Sequence, residues 1–199
     1  MPLSSSIEKR ICELGGRLSN GDLPMKESLL GITFPHYLYP SDWDLYGVDE
    51  FFAEHKSTYE TSPDAFLDQI ESHYFAAHDR ACGQDFWQPK HFTPTTPGTA
   101  DFKEWNTEFS RFADLSAIRS ICGDGPLEFV QLIYSYGYPD HYYACLQDPS
   151  QDNPTVFGTD HEEFFQQVRA HAPLEQFLNS YCTRSEFREI VLEHVKNLA

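Results

Sequence analysis

Apolar positions recur at helical spacing at the start of the chain. Ile7, Ile11, Leu14 and Leu18 fall on one face and predict a first helix over residues 6–18. Ser4, Ser5 or Ser6 is available to cap it, and Asn20-Gly21 reads as a stop or turn. The period is lost over residues 31–47. Pro35 and Pro40 interrupt that stretch while Phe34, Tyr37, Tyr39, Trp43 and Tyr46 crowd it, which predicts an ordered loop or short strands pinned by aromatic rings. Helical spacing returns over residues 48–56, with Val48, Phe51 and Phe52 turned inward. Ser62-Pro63-Asp64 then opens the clearest middle helix. Serine is a good cap and proline is tolerated at the first helical position, and Phe66, Leu67, Ile70 and Tyr74 follow at the right spacing, with Gly83 as an end signal.

Residues 88–100 carry Pro89, Pro94, Pro97 and Gly98 and read as a surface connection, after which Phe102, Trp105, Phe109 and Phe112 resume a helical pattern over residues 101–113. The last third changes character. Short apolar runs separated by turn residues predict strands at residues 117–122, 129–134, 142–146 and 155–157, with turns at Gly123-Asp124-Gly125 and Gly137-Tyr138-Pro139-Asp140. Such close spacing favours an antiparallel meander over strand–helix–strand crossovers. Residues 161–171 fit either a helix start or an edge strand. Helices are expected at residues 173–181 and 184–198. The fold class expected is α+β, with a helical N-terminal half and an antiparallel sheet in the C-terminal half packed with helices. One domain would span residues 1–199, with residues 40–110 as a largely helical elaboration.

Composition sharpens this picture. With 40% hydrophobic and 15% aromatic residues, the chain has the material for a packed core and is not of a disordered class. A net charge of −17 argues against nucleic-acid binding and against an anionic membrane surface, because both would repel it. It favours basic partners and fast association. No apolar run resembles a signal peptide or a membrane span. The five cysteines, Cys12, Cys82, Cys122, Cys145 and Cys182, include no CxxC pair, so they read as reduced residues packed as small apolar groups in a cytoplasmic protein.

Few motifs carry chemistry. No phosphate-cradling glycine loop and no G-x-S-x-G elbow is present. The best metal candidate is Asp160-His161-Glu162-Glu163, joined by Asp140-His141. It resembles half of H-E-x-x-H, but Phe165 stands where the second histidine belongs. Asp148 to Asn153 resembles a calcium loop without its glycine or terminal glutamate, so a turn is the simpler reading. No catalytic residue, metal or cofactor is therefore expected. Between Asp42 and Asp85 the chain has eleven acidic residues, opposed only by Lys56 and Arg80, and Trp43, Tyr46, Tyr59 and Tyr74 lie among them. Acids that steer and aromatics that anchor suit a surface for a basic protein. The same pattern also fits an acidic helical face over an aromatic core.

The order of features over residues 115–182 resembles the SUKH superfamily of fungal cell-wall regulators and bacterial toxin-immunity proteins. A glycine-rich turn precedes a strand, and a second strand ends at Asp148. Pro154-Thr155-Val156-Phe157 and Asp160-His161-Glu162 come next, and then Ala172-Pro173-Leu174-Glu175-Gln176-Phe177-Leu178. Leu174 stands where the family usually has phenylalanine and Pro173 where it usually has serine. The resemblance implies a non-enzymatic immunity protein that binds and neutralises a cognate toxin, commonly a basic nucleic-acid-directed enzyme. It also implies that Asp148, Val156, Phe177 and Leu178 hold sheet and helix together. The expected partner-binding residues are Asp42, Trp43, Asp44, Tyr46 and Asp49 first. Asp148, Asp152, Asp160, Glu162 and Glu163 form a second group. The alternatives are an intracellular scaffold or regulator, or a metal-dependent hydrolase using His161–Glu163.

Overall fold

A computed structural model describes residues 1–19, 21–76, 83–135 and 140–198. Among them are eight helices and a five-stranded antiparallel sheet: α1 (Ser5–Glu13), α2 (Met25–Leu30), α3 (Val48–Thr61), α4 (Pro63–Tyr74), β1 (Asp85–Phe92), α5 (Ala100–Phe112), α6 (Ser116–Cys122), β2 (Phe129–Ser135), β3 (His141–Cys145), β4 (Thr155–Thr159), β5 (Val168–Pro173), α7 (Leu174–Asn179) and α8 (Arg184–Lys196). The strands lie in sequence order, β1-β2-β3-β4-β5, and every neighbouring pair is antiparallel. The fold is α+β, and its sheet is the meander that the spacing of turns predicts.

Alternation along the strands sorts side chains onto two cores. On one face Val130, Ala144 and Val156 meet Ile7 and Ile11 of α1, Met25 and Leu29 of α2, and Leu174 and Leu178 of α7. On the other, Phe129, Tyr143, Cys145 and Phe157 meet Phe109 of α5, Ile118 of α6 and Phe165. A third cluster joins α3, α4 and α8 around Tyr39, Trp43 and Phe187. Local signals start two helices as the sequence predicts: Ser4 Oγ accepts from Ile7 N–H (3.4 Å) and Ser62 Oγ from Ala65 N–H (3.4 Å). The structure adds a third, a reciprocal capping box between Thr183 and Glu186 at the start of α8. The Asp148 carboxylate is 1% exposed and accepts from Ser150 N–H and Thr155 N–H, both at 2.8 Å, closing the loop between β3 and β4.

The structure corrects three readings and decides a fourth that the sequence left open. Residues 88–92, expected as the start of a surface connection, belong to β1, so the segment 40–110 supplies a strand of the sheet. Pro89 is tolerated because β1 is an edge strand whose register shifts between Trp87 and Lys90. Residues 116–122, expected as a strand, are helical. Their short apolar run suits either state, and Ile118 packs as one helical position against the sheet. The first helix ends at Glu13, well short of residue 18, because Gly15 takes a left-handed φ of 83°. In the ambiguous stretch only Val168 onward is strand. The expected turn at Gly137-Tyr138-Pro139, together with Cys82, Asp79 and Arg80, lies outside the described residues. Of the other cysteines, Cys145 and Cys182 are buried, Cys122 is half-buried and Cys12 is exposed.

Asp85 opens β1 in an unusual setting. It is 4% exposed, and its main chain pairs with Leu38 through two 2.9 Å hydrogen bonds. Tyr181 Oη, at the end of α7, donates to its carboxylate at 2.6 Å. Burial pushes the Asp85 carboxyl up to about 6, against the opposing pull of hydrogen bonds from Ser135 and Tyr181. A folded pKa above the unfolded value near 3.8 means that Asp85 contributes stability fully below that value. The contribution is lost as pH rises through about 6.

Two predictions follow from this packing. Asp85→Asn gains stability relative to wild type by roughly 2–3 kcal/mol between about pH 4 and pH 7.5, the energy equivalent of the shift. Urea melts across that range test it, and parallel pH profiles for the two proteins would refute it. Phe177, 7% exposed, and Leu178, fully buried, seat α7 on the sheet. Phe177→Ala therefore costs on the order of 3–5 kcal/mol; an unmoved melting curve would remove α7 from the core.

Candidate functional site

The loop between β4 and β5, residues 160–167, is held at several points. Asp160 Oδ1 accepts from Glu162 N–H (2.6 Å) and Glu163 N–H (3.3 Å), the local turn that aspartate favours. Thr159 Oγ1, 4% exposed, accepts from Phe165 N–H at 2.8 Å. The Phe165 carbonyl accepts from Asp114 N–H at 2.8 Å, and the Glu163 carbonyl from Gln166 N–H at 2.7 Å. Phe165 has a φ of 55°, rare for a residue with a side chain. Its ring is 1% exposed and sits 4.7 Å from Phe109, 5.0 Å from Tyr143 and 5.5 Å from Phe129. Burial of this ring offsets the backbone strain and plugs the loop into the core. The exposed acids Asp160, Glu162 and Glu163 therefore stand on an ordered backbone.

Beside the loop lies a hollow of about 180 Å³, lined in part by Asp140, Tyr142, Asp160, Glu163, Arg169 and His171. Gly158 of β4 forms its floor, and a Cβ there would collide with the His171 imidazole. Three carboxylates face one arginine across this hollow. His161 Nδ1 lies 3.8 Å from both Asp140 and Asp160, and its Nε2 lies 3.9 Å from Glu162. Burial lowers the pKa of His171, with Arg169 adding to the effect and Asp140 opposing it. Burial pushes the Tyr142 phenol up to about 12, and Asp85, Asp140 and Asp42 also raise it.

Asp140, Asp160 and His161 hold potential ligand atoms within 4.8 Å of one another. Three donors match the protein share of a catalytic zinc site in number. Asp160 and His161 are, however, exposed, and the turn hydrogen bonds from Glu162 and Glu163 occupy Asp160 Oδ1. The arrangement suits a solvated cation, such as an arginine or lysine head, better than a closed metal centre.

Comparison of the chain with protein-family models, with curated proteins and with solved structures gave no match.

The residues expected to bind a partner separate into three places. Asp160, Glu162 and Glu163 share the loop. Asp148 and Asp152 lie at the opposite end of the β3–β4 hairpin, because β3 runs from His141 toward Asp148 and β4 returns from Thr155 toward Asp160. They do not form one surface with the loop, and buried Asp148 is structural. In the first group, Asp44 accepts from Tyr46 Oη at 3.1 Å and Asp49 pairs with His194. Trp43 is only 7% exposed and stacks on Phe187 at 5.7 Å, so it belongs to the core and is not an exposed anchor. The acidic segment is also less free than its sequence indicates. Arg188 of α8 meets Asp68 and Glu71, and Arg184 meets Glu71 at 3.1 Å. These cations lie more than a hundred residues away along the chain. Sequence reasoning noted Asp140 but missed Arg169 and His171, which carry no local pattern beyond the alternation of an edge strand.

The chain purified without a metal-affinity tag is expected to carry well under one equivalent of zinc by elemental analysis. A full equivalent that disappears in His161→Ala would instead make the hollow a metal centre.

Proposed function

We propose that this chain is a non-enzymatic, SUKH-like immunity protein that binds and neutralises a basic bacterial toxin domain. The observation that carries this reading is the pre-ordered acidic loop 160–167 beside Asp140. Ordering a loop before binding removes part of the entropy cost of association. A chain of charge −17 steers a basic partner toward it. The element order supports the reading in part: β2, β3 and β4 come in the order that the resemblance implies, while β5 stands between β4 and α7 and residues 116–122 are helical. A basic, nucleic-acid-directed enzyme fits as partner because its own substrate-binding surface must be cationic. The acidic end of the sheet would then compete with phosphates for that surface. Action in the cytoplasm, where such a toxin meets its target, belongs to the same reading.

The experiment is co-expression with candidate toxins encoded beside this chain, followed by binding kinetics at two ionic strengths. Association slows as salt rises from about 0.05 to about 0.2 M, since screening shortens the reach of exposed charges. Combined Asp140→Asn, Asp160→Asn and Glu163→Gln lowers the on-rate by roughly tenfold. Neutralising Asp42, Asp44 and Asp49 has the smaller effect, because Asp49 is already paired with His194. An on-rate indifferent to the loop variant would remove the loop from the interface. Absence of binding and of protection against every neighbouring toxin would overturn immunity itself.

A further inference from the structure

On the side of loop 160–167 away from the acidic hollow, α5 presents an aromatic stripe. Trp105, Phe109 and Phe112 recur at helical spacing on one face, with Glu108 beside them. Phe109 alone is buried, whereas Trp105 is half-buried and Phe112 is 60% exposed. From the loop, Phe164 completes a cleft of about 130 Å³. Its ring lies 5.0 Å from Trp105 at an angle of 51°, and 6.2 Å from Phe109 at 77°. Trp105, Phe109, Phe112 and Phe164 therefore line the cleft together. Two carboxylates stand at the rim, Glu108 from the helix and Glu162 from the loop. Both are exposed, and among the described residues neither pairs with a lysine or arginine.

Aromatic walls with an acidic rim have a defined chemical preference. Ring faces attract cations through their quadrupole, and the two carboxylates disfavour a purely apolar guest. A guanidinium satisfies both, since it stacks flat on a ring while its N–H fork reaches a carboxylate at the edge. A lysine ammonium cannot stack, and it keeps its hydration more firmly. We propose that this cleft is a binding site for an arginine side chain of a basic protein partner. The proposal deepens the partner-binding reading above and rests on it. Glu162 projects from the same ordered turn as Asp160 and Glu163, so one partner surface can place an arginine in the cleft while other cations face the hollow. The cleft supplies the desolvated anchor, and the hollow supplies the charge that brings the partner in.

The test uses the full chain and a blocked tri-arginine peptide, with tri-citrulline and tri-lysine peptides as matched controls. The readout is the Trp105 indole resonance, assigned by its loss in Trp105→Phe, which separates cleft binding from general attraction to the acidic hollow. The arginine peptide shifts this resonance saturably. Binding is weaker by about tenfold or more for citrulline, and several-fold weaker for lysine. Phe112→Ala, and combined Glu108→Gln and Glu162→Gln, each weaken the arginine peptide by roughly tenfold. These side chains are exposed, so unchanged melting curves are expected alongside. An unmoved Trp105 resonance, equal affinity of the Phe112→Ala variant, or equal binding of lysine overturns the proposal. Self-association of the chain that Phe112→Ala abolishes also overturns it, by making a second copy the occupant. If a toxin partner is captured equally well by the Phe112→Ala chain, the cleft falls and immunity stands. If the peptide binds as expected and no toxin is captured or neutralised, immunity falls and the arginine site remains.

Discussion

A five-stranded sheet covered on both faces has to divide its side chains by parity, and most of this molecule follows from that division. Along β3 and β4, Ala144 and Val156 turn to one core while Tyr143, Cys145 and Phe157 turn to the other. The first core is mostly aliphatic, with Trp87, Phe177 and Tyr181 among its rings, and packs against α1, α2 and α7. The second is rich in rings, with Ile118, Leu127 and Cys145 packed among them. Phe165 joins it from a loop. It accepts a left-handed backbone to do so, and the loop that carries it becomes part of the core's architecture. A surface loop is ordinarily the most mobile part of a sheet protein. Here the packing of one face sets the geometry of the exposed acids above it.

Charge is divided by a similar logic. The acids of α3 and α4 face Arg184, Arg188 and His194 of α8, so part of the acidic segment is spent on holding the helical layer together. Exposed pairs of this kind add little stability individually, but they lower the local surplus of negative charge. At the β3–β4–β5 end of the sheet, Asp140, Asp160 and Glu163 share a hollow with Arg169 and His171, and His161 lies 3.8 Å from two of them. Steering by a protein's field depends on focused charge more than on the total. The total is a property of composition, whereas the focus is a property of the fold.

Asp85 and Tyr181 show how the layers are tied. A carboxylate at the start of the edge strand accepts from a phenol at the end of α7, in a setting dry enough to raise its pKa. Leu38 pairs with the main chain of the same aspartate, and Pro40 bridges to Tyr181. The irregular aromatic segment is thereby pinned to both the sheet and the helix. A buried polar contact of this kind fixes which strand end meets which helix end, a selection that apolar packing alone leaves loose.

The sequence by itself determined the α+β class, the meander order of β2 to β4 and the serine caps that start α1 and α4. Each depends on neighbours within a few residues: turn residues between short apolar runs, a serine before a helical period, alternation along a strand. It also identified Asp160, Glu162 and Glu163 as candidates, because their density is visible locally. The tertiary structure alone decided that Pro89 sits in a strand, since tolerance of proline depends on β1 being at the edge. It decided that residues 116–122 are helical, since so short a segment, with apolar residues interspersed by Ser116, Arg119 and Ser120, fits either state until a neighbour selects one. It placed Trp43 in the core and Phe112 at the surface, although both belong to aromatic-rich segments that read alike. It also parted Asp148 from Asp160, which stand at opposite ends of one hairpin. Periodicity records which side of its own element a residue faces, but burial and charge pairing are set by elements far away in the chain, and those meet only when the sheet closes between its two cores.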